Sequence, residues 1–344
     1  MIRELRKHIE LDVIFTAKEL SSENKDFCDA MNAKFVKQTR FKNPLSIFRE
    51  IKLLMYIKKQ KADLVWFNTL SLIQSVLLRL FIKRPLINAH DIEFHPEESD
   101  YHGILSQKVS FWFFKKCIAV MSHSQADVFE KKYGFKPYIL QLPIIDYYEA
   151  YTEKKSIQYE NNPPVRFLFF GSILPYKGIE KLIGAVEILE KKNLNFTVNV
   201  CGKIKYKTAE LVNEVSRLKK LNLKDEFISC KEVYNIYQAS DVIIIPYIHV
   251  SQCGPLLIGY NQNVPCITSD LPGFREYVDD GKSGLIFNNS AEGLAEKMEE
   301  LISSHSKIND LKNYISEKIK PRLSMSALTD SYVKAFRLHS GVTN

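Results

Sequence analysis

The stretch "VRFLFFGSILPYKGIEKLIGAVEILEKK", residues Val165–Lys192, indicates the fold class of this chain. Five of its first six residues are apolar, the six have the length of a buried strand, and Gly171 follows where that strand ends. From Lys177 onward the apolar residues recur at intervals of three and four, as they do on a helix that covers a sheet. A buried strand followed closely by such a helix is the repeating unit of a parallel α/β sheet.

The same alternation of strand and helix extends through both halves of the chain. The predicted strands before the quoted stretch are "LDVIFTA", "ADLVWFNT", "PLINAHD" and "CIAVMSHS", and those after it are "FTVNVCGK", "FISC", "DVIIIPY" and "VPCITSD". Strands that alternate with amphipathic helical segments form βαβ units and parallel sheets. We therefore predict an α/β protein with doubly wound, Rossmann-like domains.

The length of the chain indicates two domains. Its 344 residues exceed the roughly 100 to 200 of a typical domain, and between Leu142 and Pro164 prolines, tyrosines and charges interrupt every periodicity. We predict domains at 1–158 and 159–322, followed by a terminal segment, 323–344, with a helix capped by Ser324. Two such domains facing each other would form an interdomain cleft, with a ligand at the carboxyl ends of their strands.

The composition is that of a soluble globular protein, with 45% hydrophobic and 26% charged residues. Six cysteines without metal or redox spacing indicate reduced thiols, as in a cytoplasmic protein. The N-terminus has no signal-peptide pattern, and the longest apolar stretch, Leu70–Ile82, is shorter than the roughly 20 residues of a membrane span. We expect neither secretion nor a transmembrane helix.

The net charge of +8 suits an anionic surface or substrate, and we expect no nucleic-acid partner. The segment Val36–Lys61 is both basic and apolar, and two interpretations of it stay open. It is either an amphipathic helix on an anionic membrane surface or a helix that covers a sheet and exposes a charged side.

The stretch "IIIPYIHVSQCGPLLIGY", Ile243–Tyr260, changes character where a predicted strand ends at Pro246. A helix beginning near Gly254 would direct unpaired backbone N–H groups toward an anion. Small or polar residues before it let a phosphate approach the main chain closely; they are Ser251, Gln252, Cys253 and Gly254. Other α/β turns of this kind bind no phosphate, so the pattern alone leaves the point open.

The turn after the first quoted strand has a matching character. In "FFGSILPYKG", Phe169–Gly178, Lys177 directly precedes a predicted helix and can reach a phosphate as a point charge. The alternative is a solvated lysine at a helix N-terminus, which the helix dipole disfavours. The two turns together favour phosphate binding more strongly than either turn does alone.

With both turns in view, residues 165–302 resemble the nucleotide-sugar domain of retaining glycosyltransferases of the GT-B fold, family 4, also called glycosyl transferases group 1. The resemblance rests on "FFGSILPYKGIEKLIGA", on "ASDVIIIPYIHVSQCGP", which is similar to the family's SQSG donor loop, and on "NVPCITSDLPGFREYVDDGKSGLIF". It implies two Rossmann-like domains around a cleft, with the terminal helix packed back on the first domain.

The resemblance also implies roles for individual residues. Lys177 would neutralise the donor diphosphate, and the backbone of Ser251–Gly254 would stabilise the nucleoside diphosphate as it leaves. The implied donor site comprises Gly171, Ser172, Lys177, Ser251, Gln252, Cys253 and Gly254 at the diphosphate, with Ile228 and Glu276 at the sugar or nucleotide. Glu276 alternatively caps its own helix. We expect no metal and no cofactor, since the nucleotide sugar is a substrate and no Asp-x-Asp pair is placed as a metal clamp.

In the first half, His90 in "NAHDIEFHPEE" ends a predicted strand, where the family has a histidine lining the sugar pocket. The resemblance makes His90 a catalytic residue together with Lys177. Two alternatives remain: a histidine hydrogen-bonded to backbone, and a metal pair with His95, for which no third ligand has convincing spacing.

Three features depart from the family pattern. Ser172 occupies the usual arginine position, and the family's pair of carboxylates falls near Val250 and on Ile258. The opening "MIRELRKHIELDVIFTA" is typical of the family's first helix and second strand, so we expect the first strand of the N-terminal domain to be absent.

The expected function is transfer of a hexose or similar sugar from a nucleoside diphosphate sugar to a glycan or lipid-linked acceptor, with retention of configuration. The expected setting is cell-surface polysaccharide synthesis at the cytoplasmic face of the membrane. A catalytically impaired donor-binding or scaffold protein is the alternative, and sugar epimerisation would need a carboxylate pair that the sequence lacks.

Overall fold

A computed structural model describes residues 1–17, 22–37, 45–68, 72–82, 84–92, 101–151 and 163–341. The chain divides into two compact units, Met1–Gln141 with Met325–Asn344, and Leu142–Ser324. The sequence places the first boundary at residue 158, whereas the structural division follows Gln141. The reason is packing, because Ile144 and Ile145 lie against the core of the second unit and the Ile144 N–H donates to the Leu323 carbonyl at 2.9 Å.

The first unit contains six parallel strands in two sheets. The strands are β1 (Val13–Ala17), β2 (Ala33–Lys37), β3 (Trp66–Phe67), β4 (Leu86–Ala89), β5 (Ile118–Val120) and β6 (Tyr138–Ile139). Within the described residues β1 pairs with β2, and the other four form a sheet in the order β3-β4-β5-β6. The helices are α1 (Ile2–Leu5), α2 (Ser22–Met31), α3 (Leu45–Lys59), α4 (Leu72–Phe81), α5 (Tyr101–Phe114) and α6 (His123–Tyr133).

The second unit is a six-stranded parallel sheet with helices around it. Its strands are β7 (Val165–Phe170), β8 (Phe196–Cys201), β9 (Leu221–Lys224), β10 (Val242–Ile245), β11 (Cys266–Ser269) and β12 (Gly284–Phe287). Its helices are α7 (Ile179–Glu190), α8 (Thr208–Ser216), α9 (Cys230–Gln238), α10 (Gly254–Asn261), α11 (Pro272–Arg275), α12 (Ala291–Ile302), α13 (His305–Tyr314) and α14 (Lys320–Leu323). The strand order β12-β11-β10-β7-β8-β9 is that of a doubly wound sheet.

The last helix, α15 (Met325–Ser340), is part of the first unit. Its Tyr332 and Phe336 belong to one core cluster with Leu5 of α1 and Leu86 of β4. The Tyr332 hydroxyl donates to the Gln141 carbonyl at 2.9 Å. None of the helices in the described ranges combines the length and the apolar run that a bilayer crossing requires.

Two predicted elements are wrong in detail. The segment "FISC" is not a strand: the strand lies earlier, at β9, Phe227 is 82% exposed, and Ser229 precedes α9. The N–H and Oγ of Ser229 both donate to the Glu232 carboxylate, and this local capping overrides the apolar pattern. The segment Val36–Lys61 is not one helix, because Val36 lies in β2 and α3 begins only at Leu45.

Candidate functional site

The two predicted phosphate turns follow neighbouring strands at the centre of the second sheet. In the pairing of β7 with β10, Phe167 lies opposite Val242 and Leu168 opposite Ile243. From β7 the chain proceeds to one side of the sheet through β8, and from β10 to the other side through β11. The turns after these strands therefore border the point where strand order reverses, which is where doubly wound sheets bind ligands.

The turn after β7 brings Lys177 back over the end of the strand. Gly171 has φ +104°, and its N–H donates to the Cys201 carbonyl at 2.9 Å. A Cβ atom on Gly171 would lie 3.3 Å from Nζ of Lys177, so the ammonium group lies next to this turn. Ser172 is half-buried next to it. The carboxyl end of β7 thus carries a cation.

The two turns are in direct contact with each other. Gly178 has φ +67°, and a Cβ atom there would lie 2.1 Å from the carbonyl oxygen of Pro246. The N–H of Ile248 donates to the Tyr176 carbonyl at 2.7 Å. Only glycine combines this backbone conformation with so close an approach. The loop from Pro246 to Cys253 is consequently held beside Lys177.

Lys177 lies among aromatic rings. Its side chain is buried, with 9% of the residue exposed, and Nζ is 5.4 Å from the Tyr247 ring centroid and 5.9 Å from that of Tyr176. Cation–π attraction of this kind stabilises a partly desolvated ammonium group. The Tyr247 ring also packs against Phe274 of α11 at 6.0 Å. The sequence prediction missed both tyrosines, although each occupies a predicted phosphate turn.

The start of α10 offers fewer backbone donors than the sequence predicts. Of the first three helical residues, Pro255 has no N–H, which leaves the N–H groups of Gly254 and Leu256. An anion here would depend on these two groups and on the preceding loop, where Ser251 and Gln252 are half-buried.

The Cys253 thiol lines this candidate site as an uncharged group. Burial raises its pKa to about 12, outweighing the hydrogen bond from Leu256, the charge of Lys177 and the hydrogen bond from the Tyr247 hydroxyl, all of which lower it. At neutral pH the sulfur is protonated. It therefore shapes the loop without acting as a nucleophile, because the thiolate is the reactive form.

Two more predicted donor residues lie in this unit, in different surroundings. Ile228 is buried in the apolar cluster that also contains Cys253 and Tyr247. Glu276 is half-buried and follows the last residue of α11. The helix dipole disfavours a carboxylate at this end of α11, so the position of Glu276 favours neither the cleft nor a capping role. Phe274 of the same short helix contacts Tyr247.

His90 belongs to the first unit and follows β4. Its Nε2 is 2.9 Å from the Asn68 carbonyl oxygen, which requires that Nε2 carry a proton, and its own carbonyl accepts from Gln125 Nε2 at 2.7 Å. Backbone contacts therefore orient the ring, as one alternative predicted. His95 lies outside the described residues. Over the described ranges no group of three or more His, Cys, Asp or Glu side chains is placed to hold a metal.

Comparison with known proteins places these features in context. Residues 151–318 match the family described as Glycosyl transferases group 1. A sequence search of curated proteins found no match.

Solved structures resemble nearly the whole chain. A glycosyltransferase from Rickettsia africae ESF-5 superimposes with a TM-score of 0.76 at 16% identity, covering 99% of this chain and 94% of that one. Sucrose-phosphate synthase from Thermosynechococcus elongatus gives 0.71 at 12% identity, with coverages of 99% and 92%. Anabaena HepE in complex with UDP and glucose gives 0.73 at 13%, with coverages of 96% and 100%. The chain therefore has the GT-B fold, and the predicted α/β class with parallel sheets is confirmed.

Proposed function

We propose that the chain transfers a sugar from a nucleoside diphosphate sugar to a glycan or lipid-linked acceptor and retains the anomeric configuration. One observation carries the proposal: the Lys177 ammonium group is held at the carboxyl end of β7, beside the loop that leads into α10, where the strand order reverses. A cation and backbone N–H groups converging there suit a diphosphate.

The proposed chemistry uses these groups as the donor bond breaks. Negative charge grows on the leaving diphosphate when the bond between the anomeric carbon and its phosphate oxygen lengthens. Lys177 and the Gly254 N–H would interact with this charge more strongly in the transition state than in the ground state, which lowers the barrier. The departing phosphate oxygen would take the acceptor proton while the new glycosidic bond forms on the same face. No side-chain base and no metal is needed for this step, and His90 would bind a sugar hydroxyl.

Similar proteins support a nucleotide-sugar donor. The family match covers the unit that holds both turns, and HepE, which has a similar fold, binds UDP and glucose. We propose a hexosyl donor on this basis. We further propose that the acceptor is a glycan or lipid-linked molecule and that the chain acts in cell-surface polysaccharide synthesis at the cytoplasmic face of the membrane. The net positive charge of the chain supports this part of the proposal.

Calorimetry with UDP-, GDP- and dTDP-glucose tests the proposal directly. We expect one of these donors to bind. The corresponding free nucleoside diphosphate should bind with a similar affinity, because the diphosphate makes the charge contacts. Release of nucleoside diphosphate in the presence of a glycan acceptor, with the product configuration read by NMR, tests the transfer. Failure of all three donors to bind would refute the proposal.

A second candidate is a donor-binding protein with little or no turnover. Ser172 replaces a second diphosphate cation, and Ile258, at a family carboxylate position, is buried and apolar. Binding of a nucleotide sugar without transfer and without slow hydrolysis would favour this candidate.

A further inference from the structure

Helices α3, α4 and α5 lie side by side on one face of the four-stranded sheet. Leu54, Leu78 and Phe111, one from each helix, belong to the same core cluster. Gln74 Nε2 donates to Glu50 Oε2 at 2.9 Å between α4 and α3, and the hydroxyls of Ser75 and Ser110 are 2.6 Å apart between α4 and α5. Because all three helices pack inward on one core, their opposite sides face the same direction. We call this surface the outer face.

Helices α3, α4 and α5 expose large apolar side chains. Of fourteen exposed large hydrophobic residues in the described chain, seven lie on these three helices. They are Ile47, Phe48, Met55 and Tyr56 on α3, Val76 and Leu80 on α4, and Trp112 on α5. Leu80 is 72% exposed, Trp112 74% and Phe48 65%. Scattered apolar residues are normal on a protein surface, but such a concentration marks a site of interaction.

The exposed charges of helices α3, α4 and α5 have one sign. The exposed basic residues of these helices include Arg49, Lys52, Lys59, Arg79 and Lys108. None of these five makes an ion pair with another described residue. Glu50 is the single acidic residue within the three helices, and it is buried against Gln74. Beyond them, α6 carries the exposed acids Asp127 and Glu130, so the basic surface ends there.

We propose that the outer face docks on a bilayer containing anionic phospholipids. Tryptophan, phenylalanine and leucine interspersed with lysine and arginine are the side chains with which a protein enters the headgroup region of a membrane. Anionic lipids attract each basic residue near their surface. A protein partner would need its own concentrated negative charge, whereas an anionic bilayer supplies both the charge and the apolar phase. The inference deepens the membrane placement proposed above by naming the docking surface, and it uses no residue of the donor site.

Sedimentation of the full chain with lipid vesicles tests the charge requirement. We expect binding to vesicles that contain phosphatidylglycerol, little binding to phosphatidylcholine alone, and weakening by salt. Each basic residue at an anionic surface contributes roughly a factor of five in affinity, so Arg79→Gln with Lys108→Gln should weaken binding about 25-fold. The matched control is Lys334→Gln with Arg337→Gln on α15, which should leave binding unchanged, since α15 packs on the other core cluster of this sheet.

Tryptophan fluorescence tests insertion of the apolar side chains. The chain has two tryptophans: Trp66 packs against Phe336 at 5.4 Å, and Trp112 is exposed. Vesicles should shift the emission of Trp112 to shorter wavelength, and Trp112→Phe should remove the shift while binding persists. Leu80→Ser should weaken binding several-fold, whereas Leu338→Ser, at a 63% exposed leucine of α15, should not.

Three results would overturn the inference: equal binding to neutral and anionic vesicles, equal loss in the α4–α5 and α15 variants, or a lipid-independent dimer that Leu80→Ser dissociates. The last would make the outer face a subunit interface. Donor affinity, measured by calorimetry on the same variants, should stay unchanged. A failure of membrane docking is thereby distinguishable from a failure of the proposed donor site.

Discussion

Replacing Lys177 with alanine tests the role of the cation at the end of β7. Lys177 is buried, and its ammonium group lies next to the Gly171 turn and within 6 Å of two tyrosine ring centroids. A charge-assisted hydrogen bond contributes about 1.5–3 kcal/mol, and tenfold in affinity corresponds to about 1.4 kcal/mol. We therefore expect Lys177→Ala to weaken binding of UDP, or of whichever nucleoside diphosphate binds, by about 10- to 150-fold.

The control is Lys192→Ala. This lysine follows the other end of α7, is largely exposed and pairs with Glu299 at 2.6 Å, a surface ion pair that contributes at most about 1 kcal/mol to stability. The Lys192→Ala substitution should leave nucleotide affinity within about twofold of that of the parent protein, the usual range for a distant surface change. Isothermal calorimetry gives the affinities, and circular dichroism shows that each variant is folded. A folded Lys177→Ala protein with parental affinity would refute the assignment of this lysine to the diphosphate.

Three further outcomes follow from the second unit. Gly178→Ala should lower the free energy of unfolding by more than the roughly 1–2 kcal/mol that alanine costs in a left-handed conformation, because the new Cβ would also lie 2.1 Å from the Pro246 carbonyl oxygen. The control is Gly281→Ala, where φ is +73° and the space around the new Cβ is open, so that only the backbone cost applies. Equal losses of stability in thermal unfolding of the two variants would contradict the predicted clash. The thiol of Cys253, with its pKa raised to about 12, should react with iodoacetamide at pH 8 about a thousandfold more slowly than an exposed thiol; rapid alkylation of this residue, seen by peptide mass analysis, would show that the loop opens. Hydrogen bonds from Lys224 and from the N-cap residue Ser229 lower the pKa of Glu232 to about 2. The stability that this carboxylate contributes is therefore fully present above pH 4.5, the pKa of the group in the unfolded chain, and is lost as the pH falls through 2. Glu232→Gln should cost about 1 kcal/mol at pH 7, the typical value of a helix cap, and a difference that does not shrink between pH 7 and pH 2 would contradict the assignment.

The residue pattern predicted the strand, the turn and the helix around Gly171 because their signals are local. The apolar run of β7, the glycine that ends it and the periodicity of α7 all lie within one short segment, and local pattern encodes such units. The same logic failed for "FISC", where an apolar pair competed with the capping of α9, and the cap formed. It also overestimated the backbone donors at α10, although Pro255 is visible in the sequence.

The local residue pattern specifies the α/β class, the alternation of strands with covering helices and the two candidate turns, since each depends on neighbours along the chain. Long-range packing places β7 next to β10, brings Gly178 against Pro246, and joins the segment after Gln141 to the second unit. Contacts between distant segments are chosen by the packing of the whole core against the entropy of closing long loops, and no local pattern records that balance. The outer face has the same origin: the residues of α3, α4 and α5 form one surface because three helices pack on one core.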